Sequence, residues 1–181
     1  MYIEPKTITL RDGRACLLRS PQLEDVEEML DFLRQTAAET HFLLREPEDV
    51  SDTVESERLF IQNVLSSDSR LMIVAIVDGK LAGNCGLTFK TLSKIKHRCN
   101  IGIGLLKEFW GLGIGTALFE EMFTAAKAHG VSQMELEVIE GNQRGLALYK
   151  KLGFKEVGAI PNAIRLSDGT LLKEIFMVKE L

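Results

Sequence analysis

A glycine-rich run is the part of this sequence best suited to bind an anion. It consists of Trp110, Gly111, Leu112, Gly113, Ile114, Gly115 and Thr116. Glycines at alternate positions let the backbone turn sharply and bring bare N–H groups close to a ligand. The helical spacing of Leu118, Met122 and Ala125 predicts that a helix follows over residues 113–129. Because N–H groups at a helix start lack partners and the helix dipole attracts negative charge, we expect a phosphate group to bind here.

Two common phosphate-binding loops do not fit this run. The P-loop has a lysine followed by Ser or Thr after its last glycine, whereas Gly115 is followed directly by Thr116. The dinucleotide-binding loop needs Gly or Ala where Thr116 stands. It also follows a buried strand directly, whereas residues 107–109 intervene here. A glycine-rich turn without a ligand remains the alternative to a phosphate site of another type.

A second segment, residues 142–154, has the signals of a short helix. Asn142 is a suitable N-cap, Leu148 and Leu152 have the spacing of a core-facing pair, and Gly153 marks the end. In this segment alone, Tyr149 is interpreted as a half-buried packing residue. The segment follows the glycine-rich run in an order and at a separation that favour a shared site. In that site Tyr149 would have a functional role.

Length and composition are those of an ordinary globular domain. The 181 residues include 27% charged and 45% hydrophobic residues, and the absence of repeats and linkers predicts one domain over residues 1–181. The formal net charge of −4 argues against a general nucleic-acid binder, so we expect no nucleic-acid partner. The longest strongly apolar run, residues 71–77, is too short to cross a bilayer, so we expect no membrane association.

The cysteines and histidines indicate neither disulfides nor a metal site. Cys16, Cys85 and Cys99 are odd in number, widely spaced and form no CxxC pair. Free, mostly buried thiols in a reducing compartment are the simpler interpretation. An N-terminus without signal-peptide features agrees with the cytoplasmic location that these thiols predict. The three histidines are scattered, so we expect no metal.

Local patterns predict strands and helices around the two segments. Ser20 followed by Pro21 is a typical helix start, and Asp52 with Glu55 resembles a capping box for a second helix. The expected strands cover residues 7–10, 15–19, 71–77, 81–89, 98–106, 134–138, 154–160 and 171–178. This order predicts a mixed sheet with helices on both faces.

Together the two segments resemble the GCN5-related N-acetyltransferase (GNAT) family. The glycine-rich run is similar to the family's Gln/Arg-x-x-Gly-x-Gly/Ala loop, and residues 142–154 are similar to its Asn…Leu-Tyr-x-x-Leu-Gly-Phe segment. The resemblance covers a core of about 15–178. It implies an α+β fold whose central mixed, mostly antiparallel sheet of six to seven strands is splayed in the middle, with helices on both faces.

The chain departs from the family pattern at the first position of the loop. Trp110 stands where the family has Gln or Arg, which resembles the branch that acetylates the N-termini of ribosomal proteins. Tyr149 is often absent from that branch. The resemblance therefore leaves the subfamily open.

The resemblance implies transfer of an acetyl group from acetyl-CoA directly to a primary amine. The expected acceptor is a small metabolite, an amino acid or a polyamine, and a protein N-terminus or a lysine is the alternative. A non-catalytic acyl-CoA sensor and a structural or partner-binding domain are the alternatives of other classes. Homodimers are frequent in the family, so a homodimer is a further expectation.

By the same resemblance, main-chain groups would hold acetyl-CoA. The backbone around Gly104, Leu105 and Leu106 would pair with the pantetheine arm and polarise the thioester carbonyl. The N–H groups from Gly111 to Thr116 would hold the pyrophosphate, and Trp110 would bind the cofactor mainly through its backbone. Asn142 would lie near the pantetheine or the amine. Four basic residues could attract the CoA phosphates or simply be solvated: Lys107, Arg144, Lys150 and Lys151.

Two side chains are candidates for the chemistry. Tyr149 would face the departing sulfur, where a phenol with a pKa of ~10 could stabilise the thiolate of a thiol with a pKa of ~8.5 without full proton transfer. Glu137 occupies a strand position where some members carry a general base. The alternation that places Glu135 on the same face leaves open that this face is merely polar.

The region 39–57 is rich in acidic residues. They are Glu39, Glu46, Glu48, Asp49, Asp52, Glu55 and Glu57. Family analogy places this region over the acceptor groove, where it could attract a cationic amine. A solvated acidic surface is the alternative.

Overall fold

The computed structural model describes residues 1–50 and 52–181, and its strands form one sheet. The eight strands are β1 Lys6–Thr9, β2 Ala15–Arg19, β3 Arg70–Val77, β4 Lys80–Phe89, β5 Arg98–Leu105, β6 Gln133–Ile139, β7 Lys155–Arg165 and β8 Leu171–Glu180. Their order is β1-β2-β3-β4-β5-β6-β8-β7. Among the described strands, only β5 and β6 pair in parallel, so the sheet is mixed and mostly antiparallel, as predicted. It has one strand more than the upper expected number, because both arms of the first hairpin join it.

Four α-helices accompany the sheet in the described residues. They are α1 Val26–Glu39, α2 Val54–Ser66, α3 Ile114–Ala128 and α4 Gln143–Lys151. The backbone of β5 shows that they cover both faces. A Cβ on Gly104 would contact Phe32 of α1, whereas a Cβ on Gly115 of α3 would contact Ile103 and Leu105. Since successive strand residues face opposite sides, α1 and α3 lie on opposite faces.

The first two helices begin later than the sequence predicts. Ser20 does not cap α1, because its hydroxyl accepts a hydrogen bond from the amide of Ile3 (3.0 Å). Asp52 does not cap α2 either, because its carboxylate pairs with Arg45 (2.7 Å). Thr53 takes that place and accepts a hydrogen bond from the amide of Ser56 (3.2 Å). Partners outside the two helices thus divert both predicted caps.

Strands β5 and β6 separate part way along their length. Their pairing covers only Arg98–Asn100 with Gln133–Glu135, although β5 continues to Leu105 and β6 to Ile139. The predicted splay in the middle of the sheet is therefore present. It leaves one edge of each strand without a partner strand over the last residues, and a cleft opens between them.

All three cysteines are free and buried. Burial raises the pKa of the Cys16 thiol to about 11 and that of the Cys99 thiol to about 12. Burial also raises the pKa of Cys85. These thiols stay protonated at neutral pH and are poor nucleophiles. Within residues 1–50 and 52–181, no helix combines the length and the apolar character needed to cross a bilayer.

Candidate active site

A cavity of about 860 Å³ occupies the cleft between the separated strands. Its walls include the last residues of β5, residues 137–139 of β6, the glycine-rich run and one side of α4. The loop after α1 closes one end with Phe42, Leu43 and Leu44. The structure thus brings the two segments singled out in the sequence into one site.

The backbone N–H groups of the glycine-rich run are unused within the described part of the chain. None of the amides of residues 111–116 donates a hydrogen bond there, whereas the next amide, that of Ala117, bonds to the carbonyl of Gly113 (3.1 Å). Residues 114–116 form the first turn of α3, so the positive end of the helix dipole reinforces these donors. Consecutive free amides at a helix start form an anion site.

Each glycine of the run has its own structural reason. Gly111 and Gly113 have φ angles of +81° and +103°, which other residues adopt only with strain. Gly115 is helical instead, and a Cβ there would lie 3.0 Å from Cδ2 of Leu148. The first two glycines therefore shape the loop, and the third allows α4 to pack closely on the start of α3.

Trp110, the departure from the family pattern, fastens the run to the end of β5. Its indole Nε1 donates a hydrogen bond to the carbonyl oxygen of Leu105 (2.8 Å). The guanidinium of Arg144 lies over the ring, 5.1 Å from its centroid, and the ammonium of Lys107 lies 5.9 Å away. Such cation–π contacts hold two of the predicted basic residues beside the run.

Arg11 is a residue of this site that sequence reasoning missed. Its Nη1 donates to the carbonyl of Gly111 (3.1 Å), and its amide donates to the carbonyl of Leu112 (3.1 Å). These bonds turn two carbonyl groups of the run toward the hairpin between β1 and β2. Arg11 also lines the cavity. Arg11 lies between the first two predicted strands, and no local signal connects it with a loop 100 residues away.

Strand β5 directs alternate backbone groups into the cleft. The amide of Leu106 donates a hydrogen bond to the carbonyl of Ala82 (3.0 Å), and two residues earlier Gly104 lies opposite Asn84 of β4. In an antiparallel pair, bonded and non-bonded residues alternate, so Leu106 and Gly104 use their N–H groups toward β4. The N–H groups of Ile103 and Leu105 point to the cleft. Of the three predicted pantetheine contacts, Leu105 is thus the residue with a free amide.

Tyr149 combines a packed ring with a position on the cavity wall. The ring lies among aromatic side chains, with centroids 5.7 Å from Phe119 and 6.2 Å from Phe154, and the residue is 9% exposed. It also lines the cavity. Burial, with the nearby Cys85 as a smaller cause, raises the pKa of Tyr149 to about 12. The phenol therefore stays protonated and can donate a hydrogen bond.

Asn142 caps α4, as predicted, and lies on the cavity wall. Its Oδ1 accepts a hydrogen bond from the amide of Gly145 (2.9 Å). This bond leaves the two Nδ2 hydrogens as donors for a ligand. Among the basic residues expected near the phosphates, Arg144 and Lys151 line the cavity.

Glu137 and Glu135 share a face of β6 but have different environments. Glu135 is held by Arg98 and by Gln133, and the hydrogen bond from Arg98 lowers the pKa of its carboxyl. Glu137 lines the cavity and accepts a hydrogen bond from Nδ2 of Asn100 (3.4 Å). Burial and then the charge of Glu174 raise the pKa of Glu137. Glu137 is thus the carboxyl of this face that can exchange a proton with a ligand.

Three of the acidic residues of region 39–57 have structural partners within the chain. Glu39 accepts from the amide of Lys107 (2.7 Å), Asp49 from the amide of Glu46 (3.0 Å), and Asp52 pairs with Arg45. Among the described residues, none of the seven predicted acids lies on the cavity wall. The described part of the chain also holds no group of three His, Cys, Asp or Glu side chains suited to a metal.

Comparisons with known proteins agree with this architecture. The model of the Acetyltransferase (GNAT) family matches residues 30–154. Over 156 residues, 81% of this chain and 84% of the relative, the sequence is 28% identical to an N-alpha-acetyltransferase of Sulfurisphaera tokodaii. The structure superposes on an acetyltransferase of the GNAT family from Streptococcus pneumoniae with a TM-score of 0.86 and 28% identity, covering 92% of this chain and 99% of that one.

A further solved structure shares the fold at lower identity. It is a GNAT superfamily phosphinothricin acetyltransferase from Sinorhizobium meliloti in complex with AcCoA, with a TM-score of 0.80 and 20% identity over 96% of this chain and 89% of that one. The family match covers well over half of the chain. The protein therefore belongs to the GNAT family and is an N-acetyltransferase, a class of acyltransferase.

Proposed function

We propose that the protein transfers the acetyl group of acetyl-CoA to a primary amine in the cleft between β5 and β6. The observation that carries this proposal is the row of unused amides at residues 111–116, next to a strand edge with free N–H groups. The amides of the run bind the diphosphate, with Arg11 and Arg144 adding positive charge. The N–H groups of Ile103 and Leu105 and the Nδ2 of Asn142 bind the pantetheine arm and the thioester carbonyl.

The transfer requires two proton movements. The acceptor enters as an ammonium ion, and Glu137 takes one proton, directly or through water. The neutral nitrogen attacks the thioester carbonyl carbon, a C–N bond forms, and the C–S bond breaks. The departing thiolate accepts a hydrogen bond from Tyr149 and takes the second proton of the nitrogen. The products are the N-acetyl amine and CoA thiol, and Glu137 returns its proton to solvent.

The acceptor half of the cavity lies at the end closed by the loop after α1. Phe42 reaches across the cleft, since a Cβ on Gly141 would lie 3.6 Å from its ring. Leu43 and Leu44 continue this apolar wall, and Glu137 faces it from β6. A small amine or amino acid fits this description, as does the first residue of a peptide. The relative named N-alpha-acetyltransferase supports the peptide alternative.

The proposed activity is tested by measuring free thiol released from acetyl-CoA across a panel of amines. The panel contains amino acids, amino acid amides, polyamines and short peptides with a free N-terminus or a lysine. We expect thiol release with at least one class, together with an acetylated product of the matching mass. A protein that binds acetyl-CoA but releases thiol with none of them would be a sensor, and no thermal shift with acetyl-CoA would contradict cofactor binding itself.

Replacing Arg11 by Ala is expected to weaken acetyl-CoA binding about tenfold, because a charge-assisted contact beside the diphosphate is lost. Arg14→Ala is the matched control: it lies in the same hairpin but pairs with Asp12 and Asp78. We expect that control to bind acetyl-CoA nearly as the parent does. Calorimetric titration measures both. An equal loss of acetyl-CoA affinity in the two variants would show that Arg11 acts only by stabilising the hairpin.

Glu137→Gln is expected to lower kcat/KM roughly 10²-fold and to remove the rise of kcat/KM with pH, because general base catalysis contributes at least that factor.

The same variant should also change the stability of the fold. Burial in the cavity raises the pKa of Glu137, so the folded protein binds this proton more tightly than the unfolded chain. Stability therefore falls as pH rises through the window between the ordinary and the raised pKa. The variant should accordingly unfold at a higher temperature than the parent at pH 7, and this gain should disappear below pH ~4.

The control for this prediction is Glu135→Gln on the same face of β6. The hydrogen bond from Arg98 lowers the pKa of the Glu135 carboxyl, so the ionised carboxylate stabilises the fold. Glu135→Gln should therefore destabilise the fold and leave the pH dependence of kcat/KM unchanged. Thermal unfolding at two pH values and a pH–rate profile distinguish the two variants. An unchanged profile in Glu137→Gln would remove the general base from the proposal.

A further inference from the structure

A second carboxylate, that of Glu174 on β8, faces the cavity beside Glu137. In the antiparallel pairing of β6 and β8, Glu137 lies opposite Phe176, and Ile139 lies opposite Glu174. Residues at such diagonal positions point to the same face of a sheet, with separations of about 7–8 Å. Both carboxylates line the cavity. Two negative charges thus stand next to each other where the acceptor amine must react.

Neither carboxylate has a cationic partner in the described part of the chain, whereas their acidic neighbours do. Glu135 pairs with Arg98, and Glu140 pairs with Lys173 (3.4 Å). Glu137 receives only the amide hydrogen bond from Asn100, and Glu174 appears in no ion pair of the described residues. The charge of Glu174 also contributes to the raised pKa of Glu137, and the charge of Lys90 offsets part of this effect.

Three of the four cationic side chains that line the cavity are engaged at other places. Arg11 and Arg144 contact the glycine-rich run and Trp110. Arg45 is paired with Asp52 (2.7 Å). The fourth, Lys151, follows Arg144 by two helical turns on the same face of α4. The acceptor half is therefore negative, and the diphosphate half is positive.

We infer that Glu174 selects acceptors whose reactive α-amine has no carboxylate beside it, so that the substrate is an N-terminal residue in amide linkage and not a free amino acid. This inference rests on the proposed acetyl transfer. An ammonium ion offsets part of the charge of the two carboxylates. The carboxylate of a free amino acid brings a third negative charge to the same place, whereas an amide or peptide carbonyl brings none. The apolar wall of Phe42, Leu43 and Leu44 suits the side chain of the first residue.

The test compares leucinamide with leucine, which differ only in whether the carboxyl is an amide. Like charges about 7 Å apart repel enough to change a rate constant by more than tenfold at the effective dielectric of a partly buried site. We expect the parent to favour leucinamide at least about tenfold in kcat/KM at constant ionic strength. Glu174→Gln should reduce this ratio about fivefold or more, and Glu174→Lys should reduce it further.

Glu180→Gln is the matched control, because it removes the same charge from the far end of β8, which lies outside the cavity. The amine of leucinamide is less basic than that of leucine, but this difference is the same in every variant. The change in ratio between variants therefore reports the protein alone. We expect Glu180→Gln to keep the parent ratio.

The outcomes separate this inference from the proposed function. If Glu174→Gln and Glu174→Lys still transfer the acetyl group and keep the parent's ratio of kcat/KM for leucinamide to that for leucine, Glu174 does not select the acceptor. The proposed acetyl transfer would not be affected by that result. A parent that prefers leucine contradicts the inferred acceptor class. Failure of every amine in the wider panel contradicts the proposed function itself. Bound acetyl-CoA, followed by thermal shift, confirms that each variant is folded.

Discussion

Replacement of Tyr149 by Phe is expected to lower kcat about 10²-fold, the loss that follows removal of one hydrogen-bond donor at a developing charge. The affinity for acetyl-CoA should change little, because the ring remains packed against Phe119 and Phe154. Only the hydroxyl is lost, and it is the part proposed to face the departing sulfur. Steady-state kinetics with a saturating amine and calorimetric titration of acetyl-CoA measure the two quantities separately.

The raised pKa of Tyr149 determines how this hydroxyl acts. With a pKa of about 12, complete proton transfer to a thiolate of pKa ~8.5 is unfavourable by about 5 kcal/mol. Tyr149 therefore donates a hydrogen bond and keeps its proton. Any fall of kcat at alkaline pH should therefore be the same in the parent and in Tyr149→Phe. A fall near pH 8 that vanishes in the variant would mean that the phenol ionises during turnover.

Tyr2→Phe is the chemical control for this prediction, since it removes a phenol hydroxyl from an exposed side chain far from the cavity. Its kcat should equal that of the parent. Unchanged turnover in Tyr149→Phe would retire the role of the hydroxyl and leave Tyr149 as a packing residue of α4.

Replacement of Gly113 by Ala is expected to weaken acetyl-CoA binding at least about tenfold. A φ of +103° costs a side-chain-bearing residue roughly 1–2 kcal/mol, which the loop can relieve only by turning its amides away from the ligand. These amides hold the diphosphate in the proposed complex, so a small rotation affects several hydrogen bonds at once. Calorimetry with acetyl-CoA and with CoA measures the loss.

Gly130→Ala is a matched control for the backbone effect. Gly130 has a φ of +79°, and a Cβ there, as at Gly113, would meet no atom within 4 Å. It follows α3 at its C-terminal end, outside the cavity. Both variants should lose comparable stability, and only Gly113→Ala should lose affinity. If the two bind acetyl-CoA equally well, the conformation of the run is not what binds the diphosphate.

The parts of the site that were predictable from sequence depend on local signals. The helix after the glycine-rich run and the Asn142 cap are properties of a few adjacent residues, and the structure has both. The splay between β5 and β6 came from the family resemblance. No local signal in the sequence marks the point at which these two strands separate.

The parts that sequence reasoning missed depend on contacts between distant residues. Arg11 reaches the run from a hairpin, and Glu174 reaches Glu137 from a neighbouring strand that comes much later in the chain. The displaced helix starts have a related cause, because Ser20 and Asp52 are bound to residues outside the helices that they were expected to cap. To predict that the amide of Leu105 is free, one must know which residues of β5 hydrogen-bond to β4. A single sequence does not reveal this register.

The most direct test of the central claim is an amide chemical-shift titration of the 20.2 kDa protein with acetyl-CoA. The N–H groups of residues 111–116 are proposed to hold the diphosphate, and those of Ile103 and Leu105 the acyl-pantetheine arm. We predict that these amide protons show the largest downfield shifts on saturation, and that S-acetyl-pantetheine moves only those of β5. Saturable binding that leaves the amides of residues 111–116 unshifted would contradict the proposed site.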